Sequence, residues 1–304
     1  MFLRGGSDGA EEAWGALDSL MSHLLRSGSE DRQTVPNGHP RLGAVTRAQV
    51  RMLRQIGLII LAFAGCAMGE KNVVPDLPAS APFTIQVPRD ERTIQTALDR
   101  ARSGDTVLVA PGRYVGEGNR DLDFTGKDIV LIGRGGADSC VIACGLPDEY
   151  HRGLSFHHGE TRNAIVDGFT ITGGSPWRDS EALHGGAIAC SLASPTIRRC
   201  RIEGNQGLLG GGVWLDSSNA VIEDCQIRHN LAYMLGASGG YGGGLGITRG
   251  APEVRNCEFR GNYAEGTGGG LGCGSTRAIL DNLRIEGNSG SRGGGGISLG
   301  GFNA

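Results

Sequence analysis

Apolar residues along the second half of the chain fall into five segments that align without gaps. They are AIVDGFTITGG from Ala164, PTIRRCRIEGN from Pro195, AVIEDCQIRHN from Ala220, PEVRNCEFRGN from Pro252 and AILDNLRIEGN from Ala278. One column holds Val166, Ile197, Ile222, Val254 and Leu280; the next Phe169, Cys200, Cys225, Cys257 and Leu283; then Ile171, Ile202, Ile227, Phe259 and Ile285. Each segment closes on Gly174, Asn205, Asn230, Asn262 or Asn288. A second set aligns in the same way: GGAIAC from Gly185, GGGVWL from Gly210, GGGLGI from Gly242, GGGLGC from Gly268 and GGGISL from Gly294. Large apolar residues alternate there with small or polar ones, the period of a half-buried strand.

Two strands and their glycine-rich turns every ~25 residues leave no room for a helix in each repeat. They predict one rung of a parallel β-helix per repeat, about eight rungs in all, over residues 84–304. The fold class expected is therefore all-β. Stacked rungs lie ~4.8 Å apart, so equivalent side chains stand above one another. Upstream, TIQTALDRARSG predicts a short helix with Ile94, Leu98 and Ala101 on one face and Gly104 ending it.

The columns settle the role expected of the cysteines. A position that accepts Phe, Leu and Cys alike asks for apolar volume, and a free thiol is a small buried hydrophobe. Metal binding needs convergent polar ligands, which these columns do not supply. Cys140 and Cys144 lie outside the columns and are the pair expected to bridge if any forms in an oxidising compartment. The asparagines are expected at turns, in the left-handed backbone region, with amides bonded from rung to rung.

Composition adds two exclusions. Glycine numbers 54 against 11 prolines with no strict every-third-residue glycine, which excludes collagen. The net charge of -3 and the lack of a basic run in the glycine-rich part argue against nucleic acid as a partner.

The chain changes character near residue 66. Arg41, Arg47, Arg51 and Arg54 precede the apolar run IGLIILAFAGC, which is too short to span a bilayer and reads as an export signal over residues 50–66. FAGC resembles a bacterial lipobox, with Phe63 where that family usually has Leu. The resemblance implies lipidation of Cys66. Translation is then expected to begin near Val50 or Met52, with residues 1–49 a spurious or disordered extension and 67–83 a linker. The localisation implied is export, to the outer membrane or cell surface by a lipid anchor, or secretion; contact with membrane would come only through that anchor.

RTIQTALDRARSGDTVLVAPGRY, HRGLSFHHGETRNAIVDGFTITGG and the repeated GGAI and FRGN pairs resemble right-handed parallel β-helix proteins of the pectin-lyase-like superfamily. The short motifs also resemble those of polymorphic outer-membrane adhesins. The resemblance implies that the helix after Thr93 caps the N-terminal end of the solenoid. It does not settle activity, because this fold hosts many functions. Lyases of the superfamily use an arginine or lysine as base, often with calcium held by aspartates, but neither set can be placed residue by residue, and the pectate-lyase motif with adjacent Trp, Asp and His is absent. Asp121 and Asp123 in NRDLDF fall on one side of a strand, as a calcium site or a solvated face. His157 and His158, neighbours in a strand, are expected to point to opposite faces. No metal and no cofactor is expected, calcium entering only under the lyase alternative.

Two insertions lengthen alternate rungs at the same turn: SPWRDSEALH after Gly174 and LAYMLGASGGY after Asn230. Insertions in a solenoid map to one face, often the binding face. Trp177, Arg178, Asp179, Tyr233 and Tyr241 are the candidate ligand-binding residues, with sugar rings or cell-surface components as partners. Non-catalytic binding is the function expected; a polysaccharide lyase or glycoside hydrolase is the alternative. The last segment, GGGISLGGFNA, supplies one strand of a new rung, so a C-terminal truncation is expected.

Overall fold

A computed structural model describes residues 81–145, 150–176, 184–235 and 238–300. The expectations for residues 1–49, for the signal at 50–66 with Cys66, and for Trp177, Arg178 and Asp179 lie outside the described residues.

The described chain winds as a parallel solenoid with three strands to a rung. Sheet 1 has eight strands, from Thr84–Val87 and Thr106–Val109 through Thr196–Arg198 and Val221–Glu223 to Ile279–Asp281. Sheet 2 has seven, from Gly112–Val115 through Arg201–Glu203 and Gln226–Arg228 to Arg284–Glu286. Sheet 3 also has seven: Leu122–Asp123, Leu154–Phe156, Ile188–Ser191, Val213–Asp216, Leu245–Thr248, Leu271–Gly274 and Ile297–Leu299. All pairings within these three sheets are parallel, and the registers match the sequence columns, as in Ile197 with Ile222 and Ile202 with Ile227. A fourth sheet of two-residue strands, Gln206–Gly207 to Ser289–Gly290, lines the turn after the asparagines.

Three strands per rung corrects the expectation of two. The segment PTIRRCRIEGN is not one strand but two, bent before the cysteine. Gly168, Arg199, Asp224, Asn256 and Asn282 occupy this bend at φ of 75°, 49°, 54°, 52° and 48°. Four of these five are Gly, Asp or Asn, the residues that enter the left-handed region most readily.

Helix α1, Ile94–Arg100, follows the first strand and packs Ile94, Ala97 and Leu98 against Thr84–Val87, Thr106–Val109 and Leu122–Asp123. Its N-cap is Thr93, whose hydroxyl accepts from the Thr96 N–H while the Thr96 hydroxyl accepts from the Thr93 N–H. That reciprocal pair satisfies two donors the helix itself leaves open.

The core is a stack of apolar columns. Phe124 and Phe156 face each other at 4.8 Å between ring centroids, and Cys190, Leu215, Ile247 and Cys273 continue their column. All seven described cysteines are free and buried, Cys140 and Cys144 included. Burial pushes the Cys144 thiol up to about 12, and the Cys225 thiol is also raised by burial and by its thiol neighbours. Such thiols are poor nucleophiles. They serve as volume. Cys225→Ala should therefore cost about 1–3 kcal/mol in urea unfolding, and Cys225→Val less. Equal stability of the alanine variant and the wild type would contradict the packing role.

The asparagines build the expected ladder, although not by the expected backbone. Asn205 Nδ2 donates to Asn230 Oδ1 at 3.0 Å, Asn230 Nδ2 to Asn262 Oδ1 at 3.0 Å and Asn262 Nδ2 to Asn288 Oδ1 at 2.9 Å. The left-handed residue is the one before: Gly204, His229, Gly261 and Gly287 at φ of 64°, 54°, 61° and 61°. That bend aims the next side chain inward, where an apolar residue could not satisfy the turn.

Candidate functional site

The three outer faces differ in what they offer. Sheets 1 and 2 match charges, mostly from rung to rung: Arg198 and Arg199 with the buried Asp167, Arg228 with Glu203, Arg162 and Arg255 with Glu253. These exposed or half-exposed guanidiniums contribute little each and keep the faces solvated. Sheet 3 is different. Its outward column reads Asp123, Ser155, Ala189, Trp214, Gly246 and Gly272, small residues broken by one aromatic.

Two rings explain the glycines. A Cβ on Gly246 would sit 2.7 Å from a carbon of the Trp214 ring, and one on Gly272 2.6 Å from a carbon of the Tyr241 ring. Each ring thus lies over the glycine of the rung above. His184 stands against Trp214 with 5.3 Å between centroids, and His184, Leu209 and Tyr241 are bridged in register along the rim of the sheet. At the end of the strand Val213–Asp216, Asp216 takes Arg249 through two Nη2 contacts of 2.7 Å.

Tyr233 and Tyr241, placed by the sequence in an open groove, are 8% and 9% exposed. Their rings pack instead of presenting a surface. Tyr233 donates its hydroxyl to Pro176 O at 3.4 Å, tying the second insertion to the base of the first, and burial raises both phenols above their ordinary range. Alternation of polar and aromatic residues in the loops gave no sign of this. The second insertion folds back as a hairpin, Met234–Leu235 against Ser238–Gly239, and so buries the tyrosines at its ends. Both insertions nevertheless leave the solenoid at the same rim of sheet 3, immediately before His184 and Tyr241.

At the N-terminal end of sheet 3, Arg152 is 9% exposed, with Nη1 3.5 Å from Ser155 Oγ. Burial pulls its guanidinium below the ordinary range, and the charge of Asp121 opposes that. Burial, then Arg152, holds the His184 imidazole low, with Asp216 acting the other way. The two aspartates of NRDLDF do not act together. The Asp121 carboxylate takes His151 Nδ1 and the Arg152 N–H. Asp123 Oδ1 accepts from the Thr125 N–H at 2.7 Å, and Asp123 Oδ2 faces His158 Nε2 at 3.4 Å and His157 Nε2 at 3.9 Å.

His157 and His158 were expected on opposite faces. Their rings are 4.0 Å apart. The strand ends at Phe156, and period-two alternation stops with it; the HHG sequence, with Gly159 at φ 79°, is the turn signal that marks this.

Among the described residues no helix is long and apolar enough to cross a membrane. The family described as right handed beta helix region matches residues 122–289, more than half of the 304. Neither curated proteins nor solved structures give a match.

Proposed function

Because the chain belongs to the right-handed β-helix family, we propose that it is an exported envelope protein that holds an extended polysaccharide along the outer face of sheet 3 without cleaving it. The observation that supports this is the contrast between faces. Sheets 1 and 2 spend their outward side chains on ion pairs, whereas sheet 3 is dressed by packed rings, Trp214 over Gly246 and Tyr241 over Gly272, with His184 half-buried at the rim. A polymer can lie across this ring-covered face, with His184 and the Asp216–Arg249 pair offering hydrogen bonds at its edge. Trp177, Arg178 and Asp179 of the first insertion would add contacts to the polymer. Tyr233 and Tyr241, both buried, hold the rim by packing. Modest affinity is expected, since an open face desolvates little.

A specific observation favours lyase chemistry as the second reading: a nearly buried arginine with a lowered pKa, Arg152, beside Asp121 on this same face. An arginine serving as base must lose its proton, and burial moves it in that direction.

Both readings meet one experiment, a panel of acidic and neutral polysaccharides assayed for retention and for release of unsaturated sugars. Trp177→Ala with Arg178→Ala should lower retention severalfold and leave the melting temperature unchanged. Tyr233→Ala should lower stability by about 3 kcal/mol through its cavity. Absence of retention across the panel would end the binding proposal. Release of unsaturated sugar that Arg152→Ala abolishes would put the lyase in its place.

A further inference from the structure

We propose that Asp123, His157 and His158 bind a first-row divalent transition ion, zinc foremost, as three protein ligands with a fourth position left to water. Their ligand atoms all lie within 4.8 Å of one another. Zinc bonds of 2.0–2.2 Å in a tetrahedron set ligand atoms ~3.4 Å apart. His158 Nε2 stands at 3.4 Å from Asp123 Oδ2, and the His157 distance of 3.9 Å closes by a small rotation of a half-exposed ring. Two imidazoles and one carboxylate suit zinc, nickel, copper or iron(II), and do not suit calcium, which takes oxygen ligands.

The groups converge because three parts of the chain are locked together. Gln95 of α1 holds the Asp123 backbone from both sides, accepting from its N–H at 2.9 Å and donating to its carbonyl at 3.0 Å. Thr125 N–H fixes Asp123 Oδ1, which turns Oδ2 towards the two histidines. Glu160, 1% exposed, accepts from the Gly126 N–H at 2.9 Å with one oxygen and from the His158 N–H at 3.0 Å with the other. Glu160 is therefore a positioning residue: it clamps the turn after Asp123 to the turn carrying the histidines. Such supporting groups commonly set 10–100-fold of metal affinity. The histidine side chains are 49% and 47% exposed, so an ion has a route in and its open position faces solvent. An open fourth position is the arrangement of reactive rather than purely structural zinc sites. The site shares Asp123 with the outward column of sheet 3, but the geometry that carries it does not involve a polysaccharide.

The full chain, stripped with chelator, would be titrated with Co²⁺ by visible absorption and with Zn²⁺ by calorimetry. One ion per chain is expected, with the d–d bands of a four- or five-coordinate cobalt site. His157→Ala with His158→Ala should weaken binding by more than about 100-fold, beyond what loss of a supporting partner causes. Glu160→Gln should weaken it about tenfold. Asp123→Asn, isosteric at a half-buried position, provides a ligand loss that keeps the fold, checked by circular dichroism. Wild-type uptake no tighter than that of the double variant, or undiminished uptake by both the double variant and Asp123→Asn, would overturn the proposal.

Discussion

Asn230→Ala should lose at least about 3 kcal/mol of stability, one of the two largest single-residue effects expected in this chain. The Asn230 side chain is 1% exposed and makes four hydrogen bonds. Oδ1 accepts from the Asn205 N–H and from Asn205 Nδ2, each at 3.0 Å. Nδ2 donates to Ile202 O at 2.9 Å and to Asn262 Oδ1 at 3.0 Å. Alanine leaves the Asn205 N–H and the Ile202 carbonyl buried without these partners, and each such orphan costs about 1–3 kcal/mol. Asn230→Asp keeps the shape and is a sharper test. Its carboxylate faces the Asn262 oxygen and the Ile202 carbonyl, so its folded pKa should rise above the unfolded ~3.9. A raised acid stabilises less as pH climbs; the aspartate variant should be more stable near pH 4 than at pH 7, relative to wild type. Urea midpoints at the two pH values measure this. A midpoint for Asn230→Ala within error of wild type would refute the ladder's energetic role.

Gly243→Ala should be comparably damaging, at about 3 kcal/mol or more. A Cβ at Gly243 would sit 2.4 Å from Gly269 O and 2.5 Å from Tyr263 O. Both are backbone atoms of the next rung, so no side chain can swing away, and relief requires the rungs to part at the point where their hydrogen bonds join them. Gly300→Ala is the control. Nothing lies within 4 Å of its added carbon, and its change should stay within about 0.5 kcal/mol. If the two alanine variants melt alike, close rung stacking does not explain the triple-glycine motif.

The sequence by itself determined the solenoid, because stacking puts every repeat in one environment and each column shows what that environment accepts. Phe, Leu and Cys exchanging in one column spoke of volume, and all seven described cysteines are buried and free. Asparagine recurring in another spoke of a polar partner above and below. The helix after Thr93 was legible from its local apolar face, Ile94 and Leu98, although it stops at Arg100, with Ala101 already extended, before the Gly104 expected to end it. Only the tertiary structure decided the corners and the sites. The bend at Arg199 and its equivalents turned one apparent strand into two, since a single left-handed residue redirects the chain without breaking the alternation on either side. Tyr233 and Tyr241 looked available and are buried, because a hairpin folds its own insertion down. His157, His158 and Asp123 come from different rungs, and their meeting depends on where a strand stops and on Glu160, far along the chain from Gly126. Columns report what repeats; a site made once, across rungs, leaves no period to find.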